Sequence, residues 1–497
     1  MANISIIGSG FSGLAAACFA AKENHKVTIF EKNTTAGGRA RSYQAEGFTF
    51  DMGPSWYWMP DVFENFFAAF GKSAADYYEL KQLDPGFQII FGKEDVLAVP
   101  AGMEELEQVF EDIEPGSAAA LRKFLKEAAF KYKTGMKDLV YKPAFSWFEY
   151  INPGVIKGML QADLFSSVST YVRKHFKDGR LIALMEFPVL FLGAMADKIP
   201  ALYTMMNYSA LVQGTFYPVG GMYKIIGGMK ELAESLGVDV QTGVTVNGIT
   251  ISEGLVNGLE TSRGHIPSEG LIAAADYHHV EQQLLEKQYR NYDAGYWEKK
   301  TFAPSCLIYY VGVSKRLKKL LHHNLFFDAD FNRHAHAIYS LPQWPDQPLF
   351  YVCCPSKTDD SVAPEGMENL FILVPVAAGL EDNESTRESY FEGIVKRIEE
   401  HCGESFREQV IYKKNYCIND FSTDYNAFKG NAYGLANTLM QTAVWKPSLK
   451  NNRVKNLFYA GQLTVPGPGV PPALISGQIA AAQLNQYLQK NKYERTF

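Results

Sequence analysis

The chain opens with a short apolar strand, a glycine-rich turn and an alanine-rich helix, and this order constrains the fold more than any other feature. The strand covers residues 4–7 and the helix residues 14–21. In such a unit the first glycine permits a tight turn, the second lets the backbone approach a pyrophosphate, and the third allows the helix to pack on the strand. The phosphates then meet free N–H groups at the helix N-terminus. The turn residues predicted to line this site are Gly8, Gly10, Phe11, Ser12 and Gly13.

A second strand, residues 26–30, ends at an acid that fits the same unit. Glu31 lies 18 residues after Gly13 and is followed by Lys32. A carboxylate at this position suits the ribose hydroxyls of an adenosine. The alternative is a solvated carboxylate at a strand end. The whole unit favours the binding role, and we place Lys32 beside it.

Length and charge limit the classes of function. A chain of 497 residues exceeds one ordinary core and suits two domains. The net charge of -6, without a long basic run, gives no electrostatic footprint for nucleic acid. The six cysteines show no CxxC spacing, and a reducing cytoplasm is expected. We therefore expect no nucleic-acid partner.

Neither the first residues nor the interior contains a membrane-crossing signal. The N-terminus lacks the charged start, apolar stretch and cleavage site of a secretory signal. No run of about 20 uncharged apolar residues is present, as a spanning helix would require. The expectation is a cytoplasmic protein for which attachment to a membrane face remains open.

Two further motifs near the N-terminus carry a family resemblance. GGRARS occupies residues 37–42 and FDMGPS residues 50–55. Together with the glycine turn and Glu31, they resemble the N-terminus of the flavin amine oxidase and phytoene desaturase superfamily. The resemblance implies bound, non-covalent FAD, with the arginine of GGR beside it. The cofactor residues that it adds here are Gly38, Arg39, Gly53, Pro54 and Ser55.

The C-terminal part extends the resemblance. A strand at residues 457–459 leads to PGPGVPPALISG at residues 466–477, which is similar to the C-terminal flavin signature of the carotenoid desaturases. Prolines there fit the first turn of a helix, whose positive end would face the flavin. Related amine oxidases carry an acid where Gln462 stands, which weakens the amine oxidase assignment. The implied contacts are Gly461, Gln462, Gly469, Val470 and Pro471, with Val246 near the adenine.

The predicted fold is α/β. It combines a Rossmann-like FAD-binding domain built from discontinuous segments with an α+β substrate domain that has an antiparallel sheet and a helical, membrane-facing insertion. Residues 76–215 lack the strand, turn and helix pattern and are predicted to be mostly helical, whereas strand-like runs dominate residues 281–440. The FAD-binding segments are 1–75, 216–280 and 441–497, and the substrate segments are 76–215 and 281–440.

The missing motifs narrow the chemistry. Nucleophile-elbow, zinc and phosphate-loop signatures are absent from the sequence, and the histidine pairs lack carboxylates at ligand spacing. We expect no metal, and no catalytic residue can be assigned. A single dinucleotide turn makes NAD unlikely as co-substrate, so oxygen or a quinone is the expected electron acceptor.

The resemblance implies an FAD-dependent desaturase of an apolar, C40-type carotenoid or other polyene. Hydride removal beside a conjugated system gives a delocalised cation. The protein must therefore position the substrate and exclude water, and it does not need a nucleophile. Two alternatives stay open. One is a flavin oxidase of amines or tetrapyrroles, and the other is a non-catalytic prenyl-lipid-binding relative of the escort-protein type.

A substrate insoluble in water suggests a membrane surface as partner. The segment from about residue 141 to 217 is the expected contact, and residues 181–196 within it are a better tunnel wall than surface. The alternative is that its aromatic residues belong to the core or the tunnel. The predicted apolar contacts are Phe145, Trp147, Phe148, Tyr150, Ile151, Val155, Ile156, Met159 and Leu160, with Lys157, Arg173 and Lys174 facing headgroups.

Overall fold

The computed structural model describes residues 1–150 and 166–494, with strands and helices as follows. The strands are β1 (Asn3–Ile7), β2 (Lys26–Glu31), β3 (Ser42–Ala45), β4 (Phe48–Asp51), β5 (Leu80–Gln82), β6 (Phe87–Ile90), β7 (Val96–Val99), β8 (Phe216–Pro218), β9 (Asp239–Thr242), β10 (Val246–Ser252), β11 (Leu255–Thr261), β12 (Gly264–Pro267), β13 (Gly270–Ala273), β14 (Ser305–Val313), β15 (His323–Phe326), β16 (Phe350–Cys353), β17 (Glu368–Val376), β18 (Val410–Tyr416) and β19 (Leu457–Tyr459). The α-helices are α1 (Phe11–Lys22), α2 (Pro60–Ala68), α3 (Met103–Ile113), α4 (Ser117–Thr134), α5 (Val168–Arg173), α6 (Gly179–Glu186), α7 (Met205–Tyr208), α8 (Tyr223–Ser235), α9 (Tyr277–His279), α10 (Ala294–Glu298), α11 (Phe331–Tyr339), α12 (Glu384–Cys402), α13 (Ile418–Tyr425) and α14 (Val470–Glu494).

A parallel sheet is assembled from three separate stretches of the chain. Its order is β19-β13-β1-β2-β9, so the first strand lies in the middle. Apolar residues fill its strands, as in β1, where Ile6 pairs with Ile29 of β2 and Ile272 of β13. Helices α8 and α14 pack against α1 on this sheet. Such burial on both faces is typical of parallel sheets.

A second, larger sheet has the order β18-β14-β17-β16-β15-β6-β7. Its strands pair antiparallel except β15 and β6, which run parallel, so the sheet is mixed rather than antiparallel as predicted. The prediction of a mostly helical stretch from residue 76 was also wrong at its start, because β5, β6 and β7 lie there. Runs of three or four residues are too short for periodicity to separate strand from helix.

The two faces of this second sheet have different roles. Leu307 and Val311 of β14 pack with Ile394 and Ile398 of α12 in a separate apolar cluster. Ile308, whose side chain points to the opposite face, lines a cavity. The sheet is therefore supported from one side by a helix and forms a wall with the other.

The helical part of the chain contains no membrane-crossing element in its described residues. Helices α3 to α7 fall between residues 103 and 208. Across residues 1–150 and 166–494, no helix combines the length and apolarity that crossing a bilayer requires.

Candidate active site

A cavity of about 860 Å³ lies between the parallel sheet and the second sheet. Except for Gly13, every cofactor residue predicted from the sequence lines it. These residues are Gly8, Gly10, Phe11, Ser12, Glu31, Lys32, Gly38, Arg39, Gly53, Pro54, Ser55, Val246, Gly461, Gln462, Gly469, Val470 and Pro471. The three motif regions therefore meet at one site, and we call this surface the cofactor wall.

The glycine turn is packed as tightly as its pattern predicts. Gly8 has a φ of +97°, in the left-handed region that favours glycine. A Cβ on Gly13 would lie 1.9 Å from the Gly8 carbonyl oxygen, so only glycine fits there. Gly13 therefore acts beneath the cavity by holding α1 against β1. The N-terminus of α1 begins at the cavity.

Glu31 is buried, and both of its carboxylate oxygens accept hydrogen bonds. Its Oε2 accepts hydrogen bonds from the Ser9 backbone N at 3.0 Å and from Ser9 Oγ at 2.8 Å. Its Oε1 accepts from the Asn33 backbone N at 2.9 Å and from Asn33 Nδ2 at 3.0 Å. These four bonds match the roughly four acceptor positions of a carboxylate, so a ribose hydroxyl would share or replace one of them. Glu31 therefore also joins the glycine turn to the end of β2, a structural role that the sequence pattern did not indicate.

Arg39 is the half-buried cation of the cofactor wall. Its guanidinium lies 5.1 Å from the centre of the Tyr425 ring, and its Nη2 donates to Asn431 O at 3.3 Å. Gln462, with its amide oxygen facing the guanidinium, accepts from Nη2 at 3.1 Å. Arg39 Nε is buried without a hydrogen-bond partner among the described residues. This N–H is free to bind a cofactor oxygen or nitrogen.

Asp276 interacts electrostatically with the guanidinium of Arg39. Burial lowers the pKa of the Arg39 guanidinium, and Asp276 opposes that shift. Burial in turn raises the pKa of Asp276 to about 6, while Arg39 and the backbone N–H groups of α9 pull it down. Asp276 also lines the cavity and accepts from the His279 backbone N at 3.1 Å as the N-cap of α9. Sequence reasoning missed this acid, which lies shortly after the end of β13, whereas Glu31 is the last residue of β2.

Two helices begin at the cofactor wall. Helix α1 starts at Phe11 and α14 at Val470, and Pro471 and Pro472 occupy the first turn of α14 as predicted. The Gly461 backbone N donates to Ser476 Oγ of α14 at 3.0 Å. Free N–H groups and the dipole make both N-termini favourable for negative charge. The donor set fits a large anionic cofactor such as FAD.

Val246 lies at a wall that adjoins Glu31. The Val244 backbone N donates to Glu31 O at 2.9 Å, and Val246 opens β10 two residues later. Tyr277 and Leu284 complete this part of the cavity. The surroundings are apolar on one side and carry backbone groups on the other, which suits an adenine ring.

The remaining part of the cavity is lined by apolar and aromatic side chains, and we call it the substrate wall. Its main residues are Trp56, Trp58, Phe187, Leu190, Leu192, Met206, Cys306, Ile308, Leu325, Phe327, Phe331, His334, Tyr339, Tyr351, Leu373 and Tyr433. The predicted tunnel wall at residues 181–196 contributes three of them. The others could not be assigned from the sequence, since no motif marks residues that only fill space.

The polar groups of the substrate wall are neutral or already paired. His334 Nδ1 accepts from the Leu349 backbone N and its Nε2 faces Pro375 O, both at 2.8 Å. Burial raises the pKa of the Cys306 thiol to about 12, so it stays protonated. This wall therefore presents no charged nucleophile and suits an apolar substrate.

One group of metal-type side chains lies close together in the described part of the chain. His322, His323 and Cys353 are buried, with one ligand atom from each within 4.8 Å of the others. Burial raises the pKa of the Cys353 thiol to about 12, whereas a metal binds the thiolate. The sequence predicts no metal, and that stays a prediction. All six cysteines are free and buried.

Comparison with known proteins gives the family. The family model for flavin containing amine oxidoreductases matches residues 11–485. A carotenoid 3,4-desaturase from Haloarcula japonica is 40% identical over 486 residues, covering 97% of this chain and 98% of the relative. A zeta-carotene-forming phytoene desaturase from Myxococcus xanthus is 30% identical over 490 residues, covering 97% and 93%.

Solved structures agree in fold. A putrescine oxidase variant superimposes with a TM-score of 0.65 at 13% identity, covering 98% of this chain and 99% of that one. A putative protoporphyrinogen oxidase from Exiguobacterium gives 0.60 at 15% identity, covering 98% and 99%. The fold is a mixed α/β fold with an FAD-binding part. The chain belongs to the flavin containing amine oxidoreductase family and, within it, to the carotenoid desaturases.

Proposed function

We propose that this chain is an FAD-dependent carotenoid desaturase, an oxidoreductase that acts on CH–CH groups of an apolar polyene. FAD supplies an acceptor for the two electrons that leave a substrate carbon as hydride. The observation that carries the proposal is the single cavity in which the cofactor wall of this family meets an apolar, neutral substrate wall. The full-length similarity to carotenoid desaturases supports it.

The proposed cofactor contacts follow the cofactor wall. The α1 N-terminus, with Gly8, Gly10 and Ser12, holds the pyrophosphate; Glu31 and Lys32 stand at the ribose; and Val246 stands at the adenine. Arg39, Gly53, Pro54, Ser55, Gln462 and the α14 N-terminus would lie at the flavin ring. The positive end of α14 stabilises the negative charge that arrives with a hydride. Binding is proposed to be non-covalent, because no Cys or His lies in a recognisable flavin-attachment context in the sequence.

We also propose the domain division drawn from the sequence. Residues 1–75, 216–280 and 441–497 form the FAD-binding domain, and residues 76–215 and 281–440 form the substrate domain. Support comes from the parallel sheet, whose strands all fall within the first group, and from the second sheet, whose strands all fall within the other.

The test is an incubation of the full chain, reconstituted with FAD in liposomes, with phytoene, neurosporene, lycopene and γ-carotene. Pigment chromatography should show products with added double bonds from at least one carotenoid. A matched incubation with putrescine tests the amine oxidase alternative. Amine oxidation without conversion of any carotenoid would contradict the proposal.

We propose further that the enzyme attaches peripherally to a membrane on its cytoplasmic side. Phe148 and Trp147 are 81% and 49% exposed, and Phe145 is exposed beside them. A second segment, absent from the sequence prediction, joins them: Trp445 is 45% exposed and its ring lies 5.7 Å from that of Trp147. Exposed apolar clusters of this kind mark membrane or partner sites.

The rest of the predicted contact has mixed support. Tyr150 is half-buried, and Arg173 and Lys174 are exposed. Ile151, Val155, Ile156, Lys157, Met159 and Leu160 lie outside the described residues. The Asn437 backbone N donates to Leu192 O at 3.0 Å, so the segment that leads to Trp445 passes beside the substrate wall. A carotenoid leaving the bilayer here would be close to the cavity.

Liposome flotation tests this attachment. The variant with Trp147, Phe148 and Trp445 changed to Ser should stay with the soluble fraction, while the wild type floats. A control variant with the exposed Leu341 and Ile411 changed to Ser should float like the wild type. Equal flotation of all three proteins would refute the assignment.

For reoxidation of the flavin we propose oxygen or a quinone as the electron acceptor, so turnover should not require NAD or NADP.

A further inference from the structure

A chain of polar side chains leads away from the substrate wall. Tyr351 of β16 lines the cavity, and its hydroxyl lies 2.6 Å from His323 Nδ1 of β15. The same hydroxyl lies 3.0 Å from Ser55 Oγ, which belongs to the cofactor wall. Tyr351 therefore stands where the cofactor and substrate walls meet.

Beyond His323, the neighbouring polar side chain toward the surface is His322, which packs against it without a direct hydrogen bond in the described structure. The rings of His323 and His322 have their centres 4.5 Å apart. His322 Nδ1 lies 2.7 Å from Thr358 Oγ1, and Thr358 is half-buried beside the exposed Lys81, whose Nζ donates to Thr358 O at 3.1 Å. The Nε2 atoms of both histidines are buried without a hydrogen-bond partner among the described residues.

Desaturation releases a proton for which the substrate wall must provide an acceptor. One carbon loses hydride with its electron pair, and the C–H electron pair of the adjacent carbon becomes the new π bond. The proton on that carbon must leave. His334 has both ring nitrogens engaged, and the Cys306 thiol stays protonated. Tyr351 lines the cavity, and its hydroxyl lies within hydrogen-bond distance of the His323 imidazole.

We propose that Tyr351 is the proton-accepting catalytic residue and that His323 and His322 carry the proton away. The inference rests on the proposed function. The Tyr351 oxygen takes the proton from the substrate carbon as its own proton moves to His323 Nδ1. His323 then releases its Nε2 proton past His322 and Thr358 to water, which leaves the neutral Nδ1–H tautomer. Exchange of the remaining ring proton with water restores the Nε2–H tautomer before the next turnover. The two electrons would pass to bound FAD and from it to the electron acceptor.

The electrostatics of the pair suit this role. Burial, and to a lesser extent His322, lowers the pKa of His323 well below its ordinary value. A weak base is sufficient because an allylic cation is far more acidic than imidazolium. The same low basicity lets His323 pass its proton on.

The test compares Tyr351→Phe with Tyr309→Phe in the FAD-loaded chain in liposomes. Tyr309 is a buried tyrosine on the other face of the same sheet, where its hydroxyl donates to Arg387 O. Measurements are kcat, KM, FAD content and the kinetic isotope effect with substrate deuterated at the carbon that loses the proton. Tyr351→Phe should lower kcat by about 10²- to 10⁴-fold with KM and FAD content unchanged, and should enlarge the isotope effect. Tyr309→Phe should match the wild type.

His323→Gln supplies a second variant. Glutamine can accept a hydrogen bond from Tyr351 but cannot take its proton, so kcat should again fall with FAD content unchanged. Wild-type kcat and isotope effect in Tyr351→Phe, alongside an active wild type, would overturn the relay and leave the proposed function standing. Absence of carotenoid conversion by the wild type would instead refute the function itself.

Discussion

The cofactor wall and the substrate wall share one cavity but are built from different materials. The cofactor wall consists largely of glycine backbone, two helix N-termini and the charges of Glu31 and Arg39. The substrate wall consists of aromatic and aliphatic side chains held by the second sheet. The cofactor wall suits an anion because its N–H groups are fixed in place. The substrate wall suits a hydrocarbon because it is apolar and excludes water.

The difference predicts which substitutions each wall tolerates. Where the backbone forms the surface, one added methyl group can remove binding, because no side chain can move aside. Where side chains form the surface, volume matters more than identity. Cofactor binding and substrate conversion should therefore fail separately.

The largest effect should come from Gly13→Ala. The new Cβ would lie 1.9 Å from Gly8 O, so α1 must separate from β1. We expect the free energy of unfolding to fall by about 3 to 5 kcal/mol, with loss of bound FAD. Gly227→Ala in α8 is the matched control, because nothing lies within 4 Å of its Cβ position. Calorimetry and flavin absorbance measure both, and equal stability of the two variants would contradict the packing role.

Gly10→Val should separate binding from folding. A Cβ on Gly10 would lie 3.9 Å from Gly37 O, so the fold has room for it, yet the side chain would occupy the phosphate position. The variant should fold with a near-wild-type circular dichroism spectrum and contain no FAD. Wild-type FAD content in the folded variant would remove the turn from the cofactor site.

On the substrate wall, Leu373→Trp should block conversion and spare the cofactor. Leu373 lies on β17 and its side chain faces the cavity. The larger ring should lower kcat/KM for the carotenoid by at least about tenfold, since overpacking a filled site costs about 1–3 kcal/mol. FAD affinity should stay within about twofold. Leu373→Met, similar in volume, is the control. A parallel loss of FAD would show that the two walls are not independent.

Glu31→Gln tests a charge on the cofactor wall without changing its shape. The amide would place an N–H group against donors from Ser9 or Asn33. We expect FAD affinity to fall about tenfold, the effect of about 1.4 kcal/mol from a mispaired buried group. Fluorescence titration against Glu23→Gln, an exposed control on the same unit, measures it. Equal affinities would mean that the carboxylate is dispensable.

The last effect concerns stability alone and involves the loop before α14. A Cβ on Gly467 of that loop would lie 3.2 Å from Lys446 Cε. Burial, with a smaller contribution from Lys300, lowers the pKa of Lys446 to about 7. An unfolded lysine keeps its proton to about pH 10.4. Between these values the unfolded chain binds the extra proton, so stability should rise with pH by up to about 1.4 kcal/mol per unit.

Lys446→Met isolates this contribution. The variant should melt at a higher temperature than the wild type at pH 7, and the gap should narrow toward pH 10. Thermal unfolding across that range measures it. A gap that is constant with pH would mean that Lys446 does not titrate there.

The two walls also differ in what the sequence could predict. The turn at Gly8 to Gly13, Glu31, and the proline-rich start of α14 are local patterns, because backbone geometry at an anion site demands specific residues at fixed spacing. Asp276 and Tyr351 could not be assigned, since their roles depend on strands that meet only in the folded chain. Trp445 was missed for the same reason: its neighbour Trp147 is far away in sequence.

Stepwise flavin reduction without oxygen tests the central claim most directly. The FAD-loaded full chain in liposomes is mixed anaerobically with each carotenoid while flavin and polyene absorbance are recorded together. The flavin should be bleached by a carotenoid, with one double bond formed for each flavin reduced. A flavin that stays oxidised with every carotenoid, and is reduced by putrescine, would contradict it.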